Sequence, residues 1–151
     1  MTKKYDSGFS LQEKILKGVD ILADNVASTL GPRGRNVILY QKGSSPIITK
    51  DGVTISRFVD LEDPFENAGA QIIKQAASRT AEECGDGTTT STVLARAVLQ
   101  EAQKYIVAGS SPVELKKGMD KTVAAIIDNL EKNATPISSV EDIEHIATIS
   151  A

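Results

Sequence analysis

Gly85-Asp86-Gly87-Thr88-Thr89-Thr90-Ser91-Thr92 decides how this 151-residue chain is read. Two glycines bracket an acid, and a run of hydroxyl side chains then opens a segment of helical periodicity. β-Branched threonines lose side-chain freedom in a helix, and Ser and Thr hydroxyls compete for its backbone, so local propensity opposes this start. Chains break local propensity this openly at sites. Anion binding is the chemistry that fits: glycines let the backbone approach closely, a helix N-terminus offers N–H groups, and the hydroxyls add donors. A carboxylate in the same turn repels phosphate unless a cation lies between them, so Asp86 suggests Mg²⁺. Taken alone, the stretch reads equally as a polar helix start capped by Asp86. The flanking chain has to decide.

Towards the N-terminus, Asp63-Pro64-Phe65-Glu66 combines an Asp cap, Pro at the first helical position and an acid in the first turn, so a helix is predicted from Asp63 to Cys84. Its Ala68, Gly69, Ala70, Ala76, Ala77 and Ala81 suit an interior helix buried on most sides. Beyond the motif, Leu94, Ala97, Val98, Glu101, Ala102 and Tyr105 continue helically to Gly109. Ser111-Pro112-Val113-Glu114 starts another helix with Leu115, Met119, Val123, Ile126 and Leu130 on its inner face, ended by Thr135-Pro136. Ser139-Val140-Glu141-Asp142 opens a short helix that turns Ile143, Ile146 and Ala147 inward. Ile149-Ser150-Ala151 brings no cap, glycine or polar tail and reads as an interruption, with Pro136 as the candidate boundary of a second unit.

At the other end, Met1 to Asp6 reads as a free arm or an edge strand. Ser10 with Glu13 forms a capping-box pattern, and Leu11, Ile15, Val19, Leu22, Val26 and Leu30 share one helical face up to a stop at Gly31-Pro32. The glycine-bearing loop Arg33-Gly34-Arg35-Asn36 follows. Val37-Ile38-Leu39-Tyr40 and Pro46-Ile47-Ile48-Thr49 predict a β-hairpin. Two strands alone are marginal and leave open edges, so a further segment or another subunit is expected to cover them. Lys50-Asp51-Gly52 is then a polar turn leading into Val53-Thr54-Ile55-Ser56-Arg57-Phe58.

Three polar glycine-bearing loops therefore lie at the ends of regular elements: Thr29 to Asn36, Lys50 to Gly52, and Gly85 to Thr90. Each alone is an ordinary connection. Together, beside the threonine run, they favour a nucleotide-phosphate site, with Lys50 as a point charge for phosphate and Asp51 orienting a water or an ion. Composition removes other classes. Hydrophobic residues are 40%, charged 25% and aromatic 4% with no Trp, as in a helical globular domain rather than an aromatic-lined groove. A net charge of −3 offers no basic field to nucleic acid or to an anionic membrane. One Cys and one His leave a zinc site without ligands, and His145 is read as packed or solvated. Cys84 fits a reducing compartment and reads as a small buried residue. Thr88 after Gly87, where a Walker A motif needs lysine, excludes a P-loop NTPase, and no strained serine elbow supports a Ser-His-Asp hydrolase.

Four stretches in order carry a family resemblance: Thr29-Leu30-Gly31-Pro32-Arg33-Gly34-Arg35-Asn36-Val37, Ile48-Thr49-Lys50-Asp51-Gly52-Val53-Thr54, Leu61-Glu62-Asp63-Pro64-Phe65-Glu66-Asn67 and Gly85-Asp86-Gly87-Thr88-Thr89-Thr90. From about Leu11 to Ala151 the chain resembles the group I chaperonins, the 60-kDa ring chaperonins of bacteria and organelles. Gly34-Arg35-Asn36 and the Lys before Asp51-Gly52 look like group I rather than group II. The resemblance implies a mainly α fold: residues 1–133 as the first segment of a helical, ATP-binding equatorial domain with a small β-hairpin, and 134–151 as the start of an intermediate domain. It implies ATP and Mg²⁺ as cofactors, with K⁺ as a further cation. Thr29, Leu30, Gly31 and Pro32 would line the nucleotide, and Lys50 would lie by its phosphates. Asp86 would hold Mg²⁺, Gly87, Thr88, Thr89 and Thr90 would wrap the phosphates, Asp51 would stand near the attacking water, and Ser150 would line the same pocket. It further implies a ring of identical subunits in a cytoplasm or an organelle matrix, with the hairpin pairing to a neighbour's terminal strands. Unfolded polypeptides and a co-chaperonin would engage regions absent from this chain, and the apical domain, a second catalytic aspartate and the base-contacting segment would lie beyond Ala151. The expected activity is ATP-driven assistance of protein folding, with the 151 residues alone inactive; a non-catalytic assembly module is the alternative.

Overall fold

The structure is a computed structural model that describes residues 4–150, with Ser150 described in its backbone only. Its elements are α1 (Gly8–Ala27), β1 (Val37–Leu39), β2 (Ile47–Thr49), α2 (Gly52–Phe58), α3 (Pro64–Cys84), α4 (Thr88–Val107), α5 (Pro112–Asn133) and α6 (Val140–Ser150). The expected mainly helical fold with one small hairpin is what forms. The chain divides into two compact units, Met1–Glu101 and Ala102–Ala151. That division falls within α4, whereas the expected domain boundary at Ala134 falls in the connection between α5 and α6.

The first unit is built on α1 packed against α3. Val19, Leu22 and Val26 follow the helical period and are fully buried with Ile55 of α2 and Ala70 and Ile73 of α3; Leu39 of β1 joins the same cluster. Glycine sets the approach of the two long helices. A Cβ on Gly18 would stand 1.8 Å from the Glu66 carbonyl oxygen, and one on Gly69 would stand 2.0 Å from that of Ile15. Each glycine thus admits the other helix's backbone, and Lys17 pairs with Glu66 at 2.6 Å beside the contact. Both obstacles are helix backbone and cannot swing aside, so Gly69→Ala must separate α1 from α3. Overpacking of this kind costs about 1–3 kcal/mol, which predicts roughly tenfold or faster hydrogen exchange at the buried amides of Val19, Leu22 and Ile73. Unchanged exchange there would show that the helices part at no cost.

Start and stop signals account for most boundaries. The Asp63 carboxylate accepts from the Phe65 and Glu66 N–H groups at 2.8 and 3.1 Å, and those two bonds hold its pKa below the ordinary carboxylate value. Gly85, at φ 75°, closes α3 in the left-handed conformation. In α6 the Asp142 N–H donates to Ser139 Oγ at 3.1 Å, and the Asp142 carboxylate accepts the N–H groups of Ser138 and Ser139.

Several expectations are corrected. The Ser10–Glu13 capping box does not form, because α1 begins at Gly8 and places Ser10 inside its first turn. The Ser10 hydroxyl donates instead to Asp6 at 3.4 Å, and Asp6 also takes Lys14 at 2.5 Å. Of the expected arm or edge strand, Met1 to Lys3 lie outside the described residues, and Lys4 to Asp6 form no strand. Leu30 leaves the helical face, because Ser28 and Thr29 donate their hydroxyls to the carbonyls of Asn25 and Val26 and the helix ends at Ala27. α3 is buried on one face rather than on most sides: of its small residues Gly69, Ala70 and Ala77 are buried with Ile73, Ala76 and Ala81 are half-buried, and Ala68 is exposed with Ile72. α5 buries no residue: Val123, Ile126 and Leu130 are each more than half exposed, as are Ile143 and Ile146 of α6.

The hairpin has the register Val37↔Thr49, Ile38↔Ile48 and Leu39↔Ile47. Leu39 points into the core, and Ile38, Tyr40, Ile47 and Ile48 are exposed. Among the described residues no third strand pairs with it.

Candidate functional site

The C-terminus of α1 and the N-termini of α2 and α4 converge on Gly52, which is buried. A Cβ at Gly52 would lie 2.5 Å from Thr89 Oγ1 and 3.3 Å from Val26 Cγ1, so the absence of a side chain is what lets α2 start against α4 and α1. The second and third of the loops singled out in the sequence meet at this point, and the first leaves from the end of α1 just after Val26.

The first loop leaves α1 through Thr29, which is buried and donates its hydroxyl to the Val26 carbonyl at 2.7 Å. The chain reverses at Gly31 (φ 72°) and folds back: the Gly34 N–H donates to the Gly31 carbonyl and the Arg35 N–H to the Ser28 carbonyl, each at 2.9 Å. A Cβ on Gly34 would stand 2.1 Å from the Thr29 carbonyl oxygen, so this return is a tight one. Leu30, Gly31 and Pro32 form its exposed tip.

The second loop is a cap. Asp51 accepts the Val53 N–H on Oδ1 at 3.2 Å; its Oδ2 accepts the Thr54 N–H at 2.9 Å and the Thr54 hydroxyl at 2.5 Å. Partial burial works to raise the Asp51 pKa. The Thr54 hydroxyl, the N–H groups of Thr54 and Val53, and the charge of Arg57 outweigh it and hold the carboxyl below its ordinary value. Asp51 is thus fixed as a carboxylate, with exposed Lys50 just before it.

The third loop places two left-handed glycines, Gly85 (φ 75°) and Gly87 (φ 85°), around exposed Asp86, whose Oδ1 accepts the Gly87 N–H at 2.6 Å. The Ser91 N–H to Gly87 carbonyl bond, 2.8 Å, is the first of the α4 ladder, so the N–H groups of Thr88, Thr89 and Thr90 precede it. The hydroxyl run is divided. Ser91 Oγ and Thr92 Oγ1 donate to the Thr88 carbonyl at 2.9 and 2.8 Å and satisfy themselves inside the helix, whereas the Thr89 hydroxyl faces Gly52.

The structure brings together Val26, Gly52 and Thr89, with Asp51 adjoining on one side and Gly87 and Thr88 on the other; Thr29 lies three residues beyond Val26 on the first loop. Ser150 ends α6 in the second unit, and its side chain lies outside the described residues. Cys84 is exposed rather than buried, because it occupies the last turn of α3 beside Gly85. His145 is exposed on α6. Among the described residues no three His, Cys, Asp or Glu side chains gather around a metal position. A Mg²⁺ ion here fits one carboxylate, Asp86, completed by phosphate oxygens and waters, which is how that ion is commonly held beside phosphates. The open depression lined by Lys4, Glu62, Pro64, Phe65 and Ala68 shares no residue with the three loops.

Sequence reading missed two members of this arrangement. The stretch from Val53 to Phe58 forms a helix that rests on the Asp51 cap, and the spacing from Asp51 to Thr54 is its signal in the sequence. The contact between Gly52 and Thr89 spans distant parts of the chain and has no local signal.

A helical body with one hairpin, gathering glycine loops at its helix ends, is the architecture of a chaperonin equatorial domain. The chain belongs to the TCP-1/cpn60 chaperonin family, whose model matches residues 22–151. Among solved structures it is similar to a group III chaperonin in the open state, at 29% identity and a TM-score of 0.76 over 88% of this chain. The chain spans 26% of the length of that chaperonin.

Proposed function

We propose that this chain is the N-terminal, ATP- and Mg²⁺-binding portion of a group I chaperonin subunit that hydrolyses ATP to assist protein folding. The observation that supports the reading is the approach of Gly52 to Thr89, which packs the Lys50-Asp51-Gly52 turn against the start of α4. The group I assignment rests on Gly34-Arg35-Asn36 and on Lys50 before Asp51-Gly52. Residues 1–133 are proposed as the first equatorial segment and 134–151 as the start of an intermediate domain.

In this reading the left-handed Gly85 and Gly87 and the first N–H groups of α4 receive phosphate oxygens, with the Thr88, Thr89 and Thr90 segment wrapping them. Asp86 faces the cation, Lys50 meets phosphate as a point charge, and Thr29 to Pro32 border the nucleotide. Mg²⁺, when bound, neutralises charge that develops on the transferred phosphoryl group. Asp51, fixed by the α2 N-terminus, orients the attacking water. Catalysis of this kind rests on positioning and electrostatics. K⁺ as a further cation, Ser150 in the pocket, a ring of identical subunits, client polypeptides, a co-chaperonin and a cytoplasmic location belong to the same proposal.

The alternative, an assembly module without turnover, is supported by the hairpin residues Ile38, Tyr40, Ile47 and Ile48, exposed with no third strand paired to the hairpin among the described residues. Hydrogen exchange on the assembled and dissociated protein, with and without ATP and Mg²⁺, separates the two. The expected result is slow exchange along residues 37–49 on assembly and, independently, slowing at 29–34 and 85–90 on adding nucleotide. Protection of the hairpin alone selects the assembly module. Hairpin amides equally protected in both states would end the intersubunit reading of the strands.

A further inference from the structure

The phosphate loop and the Lys50-Asp51-Gly52 turn are accounted for by the proposed function, but the group that grips Asp51 is not. We propose that Thr54 is a positioning residue for that reaction, its hydroxyl locking the Asp51 carboxylate in the one orientation that aims it at the attacking water. The inference rests on the proposed role of Asp51.

The geometry is specific. An aspartate at a helix N-cap needs only the backbone donors of the first turn, and Asp51 has these in the N–H groups of Val53 and Thr54. The Thr54 hydroxyl adds a third donor at 2.5 Å on the same Oδ2 that takes the Thr54 N–H. Thr54 thus chelates one oxygen from two sides, which removes rotation about the carboxyl axis and spends Oδ2 on the protein. Oδ1 carries a single, longer bond of 3.2 Å from Val53. It is the oxygen with lone-pair capacity left for a water. Asp51 is exposed and Thr54 half-buried, so the lock stands at the edge of solvent where that water would come from. The Gly52 contact then fixes the same turn against Thr89 of α4, so whatever holds the carboxylate also holds its direction relative to the phosphate loop.

A hydroxyl was not needed to build α2. Its N-terminus is satisfied by the carboxylate, and its buried side is made by Gly52, Ile55 and Ser56. Positioning and folding are therefore separable at Thr54. Thr54→Val keeps the shape and deletes the donor; Thr54→Ser keeps the donor and deletes the methyl. The charged group that acts on Asp51 is Arg57 on α2, while Thr89 and Val26, which face the turn from α4 and α1, are neutral.

The test is steady-state ATP hydrolysis by the full-length assembled protein over a range of pH, with nucleotide affinity measured alongside. Thr54→Val is expected to lower kcat by about tenfold, as loss of a hydrogen bond to a charged group would, with nucleotide affinity within about twofold of the parent. The hydroxyl stabilises the anion, so its loss raises the Asp51 pKa, and the acid limb of the pH–rate profile is expected to move to higher pH. Thr54→Ser is expected to restore both kcat and the acid limb. Parental kcat in Thr54→Val, or a Thr54→Ser variant as impaired as Thr54→Val, overturns the positioning role. Asp51→Asn separates the two levels: if it abolishes turnover while Thr54→Val is neutral, only the positioning inference fails. If Asp51→Asn turns over normally, the role of Asp51 in the proposed function fails and the inference falls with it.

Discussion

Asp86→Ala is expected to reduce ATP turnover by on the order of 10²-fold or more and to weaken nucleotide binding in the presence of Mg²⁺. The expectation follows from how the loop is made. Gly85 and Gly87 adopt left-handed conformations on either side of Asp86, which turns the backbone inward and leaves the carboxylate exposed at the mouth of α4. Its bond to the Gly87 N–H is local, and α4 begins its ladder one residue later through Gly87 and Ser91. Removing the carboxylate therefore leaves the helix start standing and takes away the charge that would link cation to protein. Phosphate would then meet the loop without its metal. Lys50→Ala is expected to be milder, because a flexible point charge is one phosphate contact among several. Turnover near the parental level in Asp86→Ala, measured by phosphate release in the full-length protein, would remove the metal role.

The elements of this fold were readable wherever a side chain and its backbone partner are close in sequence. Asp63-Pro64 announced α3, Gly85 ended it, and the alternation of short apolar runs announced the hairpin, all of which the structure reproduces. Reading failed where two local signals competed. Ser10 carried the spacing of a capping box, but Asp6, four residues earlier, captured its hydroxyl and the helix began at Gly8. It failed also where the determining contact is long-range. Nothing near Gly18 foretells Glu66, and nothing near Gly52 foretells Thr89, because a glycine chosen for close approach looks in sequence like a glycine chosen for a turn. The three loops were identifiable as site candidates one by one; the meeting of Gly52 with Thr89 is a property of packing. The apolar face of α5 shows the reverse case. Its periodicity was legible, but periodicity reports that a face is apolar and not what covers it.

That face sets the behaviour expected of residues 1–151 as an isolated polypeptide: self-association, weak ATP binding at best and no steady turnover. The first unit owns a buried cluster, from Val19 through Ile73. Among its described residues the second owns none that is buried, although its helices are amphipathic. Val113, Val123, Ile126, Ile127 and Leu130 on α5 and Ile143, Ile146 and Ile149 on α6 are each half exposed or more. Contiguous apolar surface beyond roughly a few hundred Å² drives association of a soluble chain. A surface salt-bridge set such as Lys116–Asp120, Lys117–Glu114 and Lys132–Asp128 keeps α5 helical but contributes little against that drive. Light scattering is expected to report concentration-dependent oligomers, and brief proteolysis to cut within 102–151 before the α1–α3 body opens. Val123→Glu with Ile126→Lys should reduce the scattering while leaving the protected body intact, since both residues belong to the second unit and neither is a member of the first unit's cluster. A clean monomer with one sharp cooperative melt, uniform resistance to protease and measurable ATPase activity would mean that α5 and α6 find their cover within these residues. The boundary of the folding unit would then have to be redrawn around all six helices.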